Sequence, residues 1–187
     1  MKIIFAQGNP DLKYAQTRHN TGFIVLDAVA EKYSDLWRNV DKFNARMVEF
    51  DHQGEKVLLV KPLSFYNDTG AVARKLIDFY KANANTDLIV VHDDLSLPFG
   101  TIRTRERGSD AGDNGIKSLN TYLGEDYPRI RIGIWTELRD QMDDFGFVLG
   151  KFSHAEAKKL EKDIIPHAVA LVDAFLAGNL EQTSHKL

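Results

Sequence analysis

The chain contains no cysteine. That excludes disulfides, zinc–thiolate sites and cysteine nucleophiles, and it removes any need for an oxidising compartment. A long apolar run is missing too. The N-terminal Met1-Lys2-Ile3-Ile4-Phe5-Ala6-Gln7-Gly8 is far shorter than a signal-peptide core or a membrane span. We read it as a buried first strand and expect a cytoplasmic protein with no membrane association. There is no phosphate loop ending in Gly-Lys-Ser/Thr, no Gly-x-Gly-x-x-Gly after a strand and no Gly-x-Ser-x-Gly elbow. The six histidines are scattered, without metal-ligand spacing, so neither a metal nor a cofactor is expected. An excess of basic charge is also lacking, with a net charge of −3 and a pI near 6.1. RNA binding would therefore need a local basic patch, because phosphate attraction reaches about a Debye length, ~8 Å at physiological salt.

What is present suits one folded domain. A chain of 187 residues, 43% hydrophobic and 27% charged, can bury a full core and is not disordered by composition. Lys2 to Gln7 reads as a strand ended by the Gly8-Asn9-Pro10-Asp11 turn. Phe23, Leu26, Ala30 and Tyr33 recur at helical spacing, which predicts a helix over Gly22 to Tyr33. Phe43 to Phe50 and Lys56 to Lys61 read as strands, joined by a hairpin loop at Asp51-His52-Gln53-Gly54. A helix is predicted from Thr69 to Lys81. Asp87 to His92 reads as a central strand that ends at Asp93-Asp94. Thr101 to Arg105 and Arg129 to Ile134 alternate as strands, the second with one polar face. Glu106 to Asp113 is a polar loop, and Asn114 to Leu123 a helix. Ser153-His154-Ala155-Glu156 fits a capping box for a last helix that runs toward Gly178 and is kinked or split by Pro166. Strands alternating with helices predict a single-domain α/β fold, a twisted mixed sheet flanked by helices.

Polar residues collect where strands end and helices begin. Asn9 follows the first strand, and His19 precedes a helix. Asn67 precedes another helix, Asp93 ends the central strand, and Asn114 opens a helix. In open α/β sheets, sites gather beyond the carboxyl ends of strands. Taken singly, each has a structural explanation: Asn9 as a turn residue, Asn67 and Asn114 as helix caps, Asp93 as a loop cap, His19 as a cap or surface residue.

Six blocks, in order, carry a resemblance that no single one would. They are Gly8-Asn9-Pro10 with Thr17-Arg18-His19-Asn20-Thr21-Gly22, Pro62-Leu63-Ser64-Phe65-Tyr66-Asn67-Asp68-Thr69-Gly70, His92-Asp93-Asp94-Leu95-Ser96-Leu97-Pro98-Phe99-Gly100, Asn114-Gly115-Ile116-Lys117-Ser118, Arg129-Ile130-Arg131-Ile132-Gly133-Ile134, and Phe147-Val148-Leu149-Gly150-Lys151-Phe152. Together they resemble the bacterial peptidyl-tRNA hydrolases over nearly the whole chain.

The resemblance implies an esterase that cuts peptide from the 3′ end of tRNA released by stalled ribosomes, with water as nucleophile. His19 would be the general base, oriented by Asp93. Asn9 would hold the water or the oxyanion through its amide. Asn67 and Asn114 would bind peptide backbone and terminal nucleotide, and Tyr14, Tyr66 and Asp113 would complete the substrate surface. Arg105 and Arg131 would contact a tRNA phosphate, helped by Arg103, Arg107, Lys117 and Arg129 nearby; a solvated strand face is the plainer reading of those arginines. The family's usual state is a monomer.

Three departures stand out. The loop Gly108-Ser109-Asp110-Ala111-Gly112-Asp113 ends in Asp where the family usually has His, and carries Ala111 for a usual Gly. Asp113 either repels RNA phosphate or accepts the hydrogen bond once made by that His. Tyr66 replaces a usual Met, by packing rather than by stacking on the terminal adenine. Trp135-Thr136-Glu137-Leu138 replaces a Gly and a common His-Pro-Gly turn, so the loop to Phe145 takes its own shape. The alternative function is a non-catalytic RNA- or protein-binding relative, which would have no physical need for the His19–Asp93–Asn9 set. A third reading, an unrelated nucleotide-binding domain, lacks a phosphate loop.

Overall fold

A computed structural model describes residues 1–33 and 36–187. Eight strands form one mixed sheet in the order β2-β3-β4-β1-β5-β7-β6-β8: β1 Lys2–Ala6, β2 Arg38–Val40, β3 Ala45–His52, β4 Glu55–Pro62, β5 Leu88–Pro98, β6 Thr101–Arg105, β7 Arg129–Trp135 and β8 Ser184–Lys186. The central four, β4, β1, β5 and β7, run parallel, so their carboxyl ends share one edge. The outer strands are antiparallel.

Alternation along β1 explains the layering. Ile4 and Ala6 join Val57, Leu59, Ile89 and Val91 under α1 (Thr21–Tyr33) and α7 (Ile165–Leu176). Ile3 and Phe5 join Leu58, Val60, Leu88 and Val90 under α2 (Thr69–Tyr80) and α4 (Asn114–Leu123). The fold is therefore the expected sheet between helices. Short helices α3 (Ala84–Asp87), α5 (Asp144–Val148) and α6 (His154–Lys159) complete the chain.

Ser153 and Glu156 form the expected capping box on α6. A π-turn at Leu160–Ile164 separates α6 from α7, placing Pro166 at the start of α7, where its missing N–H costs nothing. Gly178 beyond α7 has φ +72°, the left-handed stop expected there.

Several expectations need correction. The central strand does not end at Asp93: β5 continues to Pro98, with a register shift between Asp94 and Pro98. Phe43 belongs to a 3-10 turn before β3. The hairpin loop is two residues, Gln53 (φ +54°) and Gly54 (φ +82°), since Asp51 and His52 pair within β3. Lys81 is the left-handed cap of α2 rather than part of it. Arg107 lies beyond β6, so it does not share that strand's face. On the polar face of β7, Arg131 lines the cleft but Arg129 is buried rather than solvated. Strands β2 and β8 were not expected at all.

Candidate active site

A cleft of about 640 Å³ opens at the carboxyl edge of the parallel strands. Asn9, Tyr14, His19, Tyr66, Asn67, Asp93, Asp113, Asn114 and Arg131 all line it. Arg105 does not. It lies one strand further out, opposite Arg129 in the β6–β7 pairing.

His19 sits in a 3-10 turn, Arg18–Asn20, directly ahead of α1. The turn is held from outside the sheet. Thr17 bridges to Lys151, and the Arg18 backbone N–H donates to the Gly150 carbonyl at 3.0 Å. The Arg18 side chain is buried between the Phe147 and Phe152 rings and pairs with Glu156 at 3.0 Å. Gly22 then lets α1 come close to the strands. A Cβ there would stand 2.4 Å from the Val91 carbonyl oxygen and 2.6 Å from that of Gln7.

This placement brings His19 Nδ1 within 2.9 Å of Asp93 Oδ2. The carboxylate can only accept, so Nδ1 carries the proton and Nε2 is left for water or substrate. Burial of the His19 ring disfavours its charged form. Asp93, by charge and hydrogen bond, outweighs that and holds the pKa above the ordinary histidine value.

Asn9 is fixed by Asn20 and by the backbone of Tyr66. Its backbone N–H donates to Asn20 Oδ1 at 2.8 Å, and Asn20 Nδ2 donates to its carbonyl at 2.9 Å. The side-chain oxygen of Asn9 accepts from the Tyr66 N–H at 3.0 Å. That orients the amide and leaves its nitrogen as the donor for the cleft. Asn20 was legible as part of a motif, but nothing in the spacing showed that its amide clamps Asn9.

Tyr66 is almost fully buried, 2% exposed. Its ring stacks on the His19 imidazole with centroids 3.5 Å apart. Its hydroxyl lies 3.1 Å from Asp93 Oδ1 and 2.9 Å from Asp113 Oδ2. Tyr66 thus packs, as expected, and also hydrogen-bonds within the site. Asp113 is the N-cap of α4, its Oδ1 accepting from the Ile116 N–H at 2.9 Å. The cap is Asp113, not Asn114, and Asn114 is exposed at the cleft. Asn67 is exposed too, in the 3-10 turn Tyr66–Asp68.

The arginines divide. Arg129 and Arg131 alternate with Ile130 and Ile132, which belong to the α1/α7 core, so both arginines project to the other face. Arg103 and Arg105 alternate with Ile102 in the same way. Arg129 donates to the carbonyls of Gly108 and Ser109, pinning the glycine-containing loop. Arg131 Nε pairs with Asp94 Oδ2 at 2.6 Å. Arg105 donates to the carbonyls of Thr104 and Thr183. The Trp135 loop forms a 3-10 turn, Glu137–Gln141, then α5, tied by Arg139 to Asp144 at 2.7 Å. Exposed Phe65 and Phe145 stand at the cleft rim. Among the described residues, no cluster of three or more His, Asp or Glu is arranged to hold a metal.

Known proteins are similar to this chain over nearly its whole length. The peptidyl-tRNA hydrolase family model matches residues 3–187. The chain is 38% identical over 186 residues to the peptidyl-tRNA hydrolase of Fusobacterium nucleatum, covering 100% of this chain and 95% of that one. It is 40% identical over 180 residues to that of Lactiplantibacillus plantarum, covering 96% and 95%. The crystal structure of peptidyl-tRNA hydrolase from Acinetobacter baumannii superposes with a TM-score of 0.84 at 31% identity, covering 95% of this chain and 89% of that chain. On motif, fold and whole-length similarity alike, the chain belongs to the peptidyl-tRNA hydrolase family.

Proposed function

We propose that this protein hydrolyses the ester joining a peptide, or an N-blocked amino acid, to the 3′ end of tRNA. The observation that carries this reading is the His19–Asp93 contact of 2.9 Å at the floor of the cleft, beside the oriented amide of Asn9. Water attacks the ester carbonyl carbon and gives its proton to His19 Nε2. Asp93 holds the ring tautomer and stabilises the imidazolium. The Asn9 amide nitrogen donates to the attacking water or to the oxyanion. As the C–O bond breaks, the imidazolium returns the proton to the departing ribose oxygen. A positioned base of this kind is worth roughly 10²–10⁴-fold.

Asn67 and Asn114, both exposed at the cleft, offer uncharged donor and acceptor groups to peptide backbone and terminal nucleotide. Tyr14 lines the same cleft. Arg105 and Arg131 take a tRNA phosphate outside the chemical centre. Their guanidiniums keep N–H groups beyond the bonds described, and an Arg fork suits phosphate. The protein acts in the cytoplasm as a monomer, and the reaction as written requires no metal or cofactor.

Release of a labelled N-acetyl amino acid from its tRNA by the purified chain tests the activity. Release at catalytic protein concentrations supports it. Binding of the tRNA without release would instead favour a non-catalytic relative.

A further inference from the structure

Tyr66 and Asp113, both singled out in the sequence, touch each other at the site. The contact poses a problem of proton count. One phenol oxygen lies 3.1 Å from Asp93 Oδ1 and 2.9 Å from Asp113 Oδ2, yet a phenol has one proton to donate. Asp93 also accepts from His19 Nδ1 through its other oxygen, and Asp113 accepts from the Ile116 N–H through its other oxygen. His92 does not supply the missing proton. Its Nδ1 is 3.8 Å from Asp113 Oδ2 and donates to the Asp93 carbonyl at 2.7 Å. With both carboxyls ionised, one oxygen pair would meet lone pair to lone pair.

We propose that Asp113 carries a proton and donates it to Tyr66, which donates to Asp93, forming a one-way hydrogen-bond chain that positions Asp93 against His19; this rests on His19 acting as the base. Asp113 Oδ2–H then points to Tyr66 Oη, Tyr66 Oη–H to Asp93 Oδ1, and His19 Nδ1–H to Asp93 Oδ2. Every short contact holds one proton. The chain also limits the negative charge beside His19 to one carboxylate. Two would hold the imidazole protonated further up the pH scale, where it is no base.

The surroundings agree. Burial pushes the Asp113 carboxyl up, and the Asp93 charge pushes the same way, against the pull of His92 and of the hydrogen bonds from Ile116 and Tyr66. The other titratable groups facing Asp113 are His19, Tyr127 and Arg129. Gly115 leaves the space for this arrangement, since a Cβ there would stand 2.3 Å from the Tyr66 ring. Tyr66 and Asp113 are thus positioning residues that act through Asp93.

Two conservative variants test the chain. Asp113→Asn keeps the helix cap and can still donate to Tyr66. Tyr66→Phe keeps the ring over His19 and removes the hydroxyl. At neutral pH the infrared spectrum of the native protein should show a protonated-carboxyl C=O band that Asp113→Asn lacks; absence of that band in the native protein overturns the proposal. The acid midpoint of the kcat–pH profile should move by less than about 0.3 unit in Asp113→Asn, because no charge is removed. A downward move of about one unit or more would mean that an anion had been lost, and would overturn it. Tyr66→Phe should lower kcat about 3–10-fold with KM changed less than about twofold, and an unchanged kcat would contradict the positioning role. The infrared band does not depend on turnover. A failed base assignment and a failed proton assignment therefore show up separately.

Discussion

His19 is asked to do the chemistry, and its surroundings set the pH at which it can. Burial opposes the imidazolium, while the Asp93 carboxylate, by charge and hydrogen bond, favours it and prevails. The base works only when neutral, so kcat should rise with pH through a midpoint above ~6.5, the ordinary histidine value. A midpoint at or below that value would contradict the described environment. The same shift stabilises the fold at low pH. Because the folded pKa lies above the unfolded one, the contribution is complete below the unfolded value and is lost as pH rises through the folded value. Asp93→Asn removes the carboxylate charge that stabilises the imidazolium and allows an N–H to face the ring, and should lower kcat by more than it raises KM; the reverse pattern would argue against an orienting role. At this scale the sequence picked out residues that the structure brings together, and was silent about how they touch. His19, Asp93 and Asn9 were readable from ordered blocks. The Tyr66–Asp113 bond was not, because it joins positions 47 apart through a ring whose burial only the fold determines.

At the scale of elements, the site depends on how the turn before α1 is anchored to the C-terminal segment. Glu156 serves both ends. Its carboxylate accepts from the Ser153 N–H at 2.6 Å and pairs with the buried Arg18 guanidinium. Glu156→Ala would leave Arg18 buried without its counter-ion, and should cost about 3–5 kcal/mol in denaturant unfolding, as for other broken buried pairs. A loss below about 1 kcal/mol would show that Arg18 is not held by this pair. Burial works against the Glu156 charge, but Ser153 and Arg18 outweigh it and hold its pKa below the ordinary glutamate value. Its contribution is therefore present above the unfolded pKa and lost as pH falls through the folded one. Long periodic elements such as α1, α2 and α4 were legible from their apolar spacing. β2 and β8 were not, since each has three residues and Arg38, Asn39, Ser184 and Lys186 are exposed. β5 outran its expected end because Asp93 and Asp94 are polar yet buried, their carboxylates engaged by His19, Tyr66, Ser96 and Arg131. Polarity marked a site there, not a strand terminus.

For the whole molecule, the question is how a chain of net charge −3 attracts an RNA. Arg103 and Arg105 stand opposite Arg131 and Arg129 across the β6–β7 pairing, a block of four arginines on one sheet face. Three are partly committed, Arg129 to loop carbonyls, Arg131 to Asp94 and Arg105 to the carbonyls of Thr104 and Thr183. Arg105→Ala should weaken tRNA binding and reduce the slope of log Kd against log salt by roughly 0.7–0.9, the loss of one phosphate contact. An unchanged slope would move the phosphate site away from this face. The net charge concealed the patch, because a sum over the chain says nothing about four side chains placed together by strand pairing.

The central claim is that His19 abstracts the proton from the attacking water. Its most direct test is the single-turnover release of an N-acetyl amino acid from tRNA, at protein concentrations that saturate binding, for the native chain and His19→Ala. The account predicts roughly 10²–10⁴-fold slower release by the variant at equal tRNA occupancy. Equal rates at equal occupancy would contradict it.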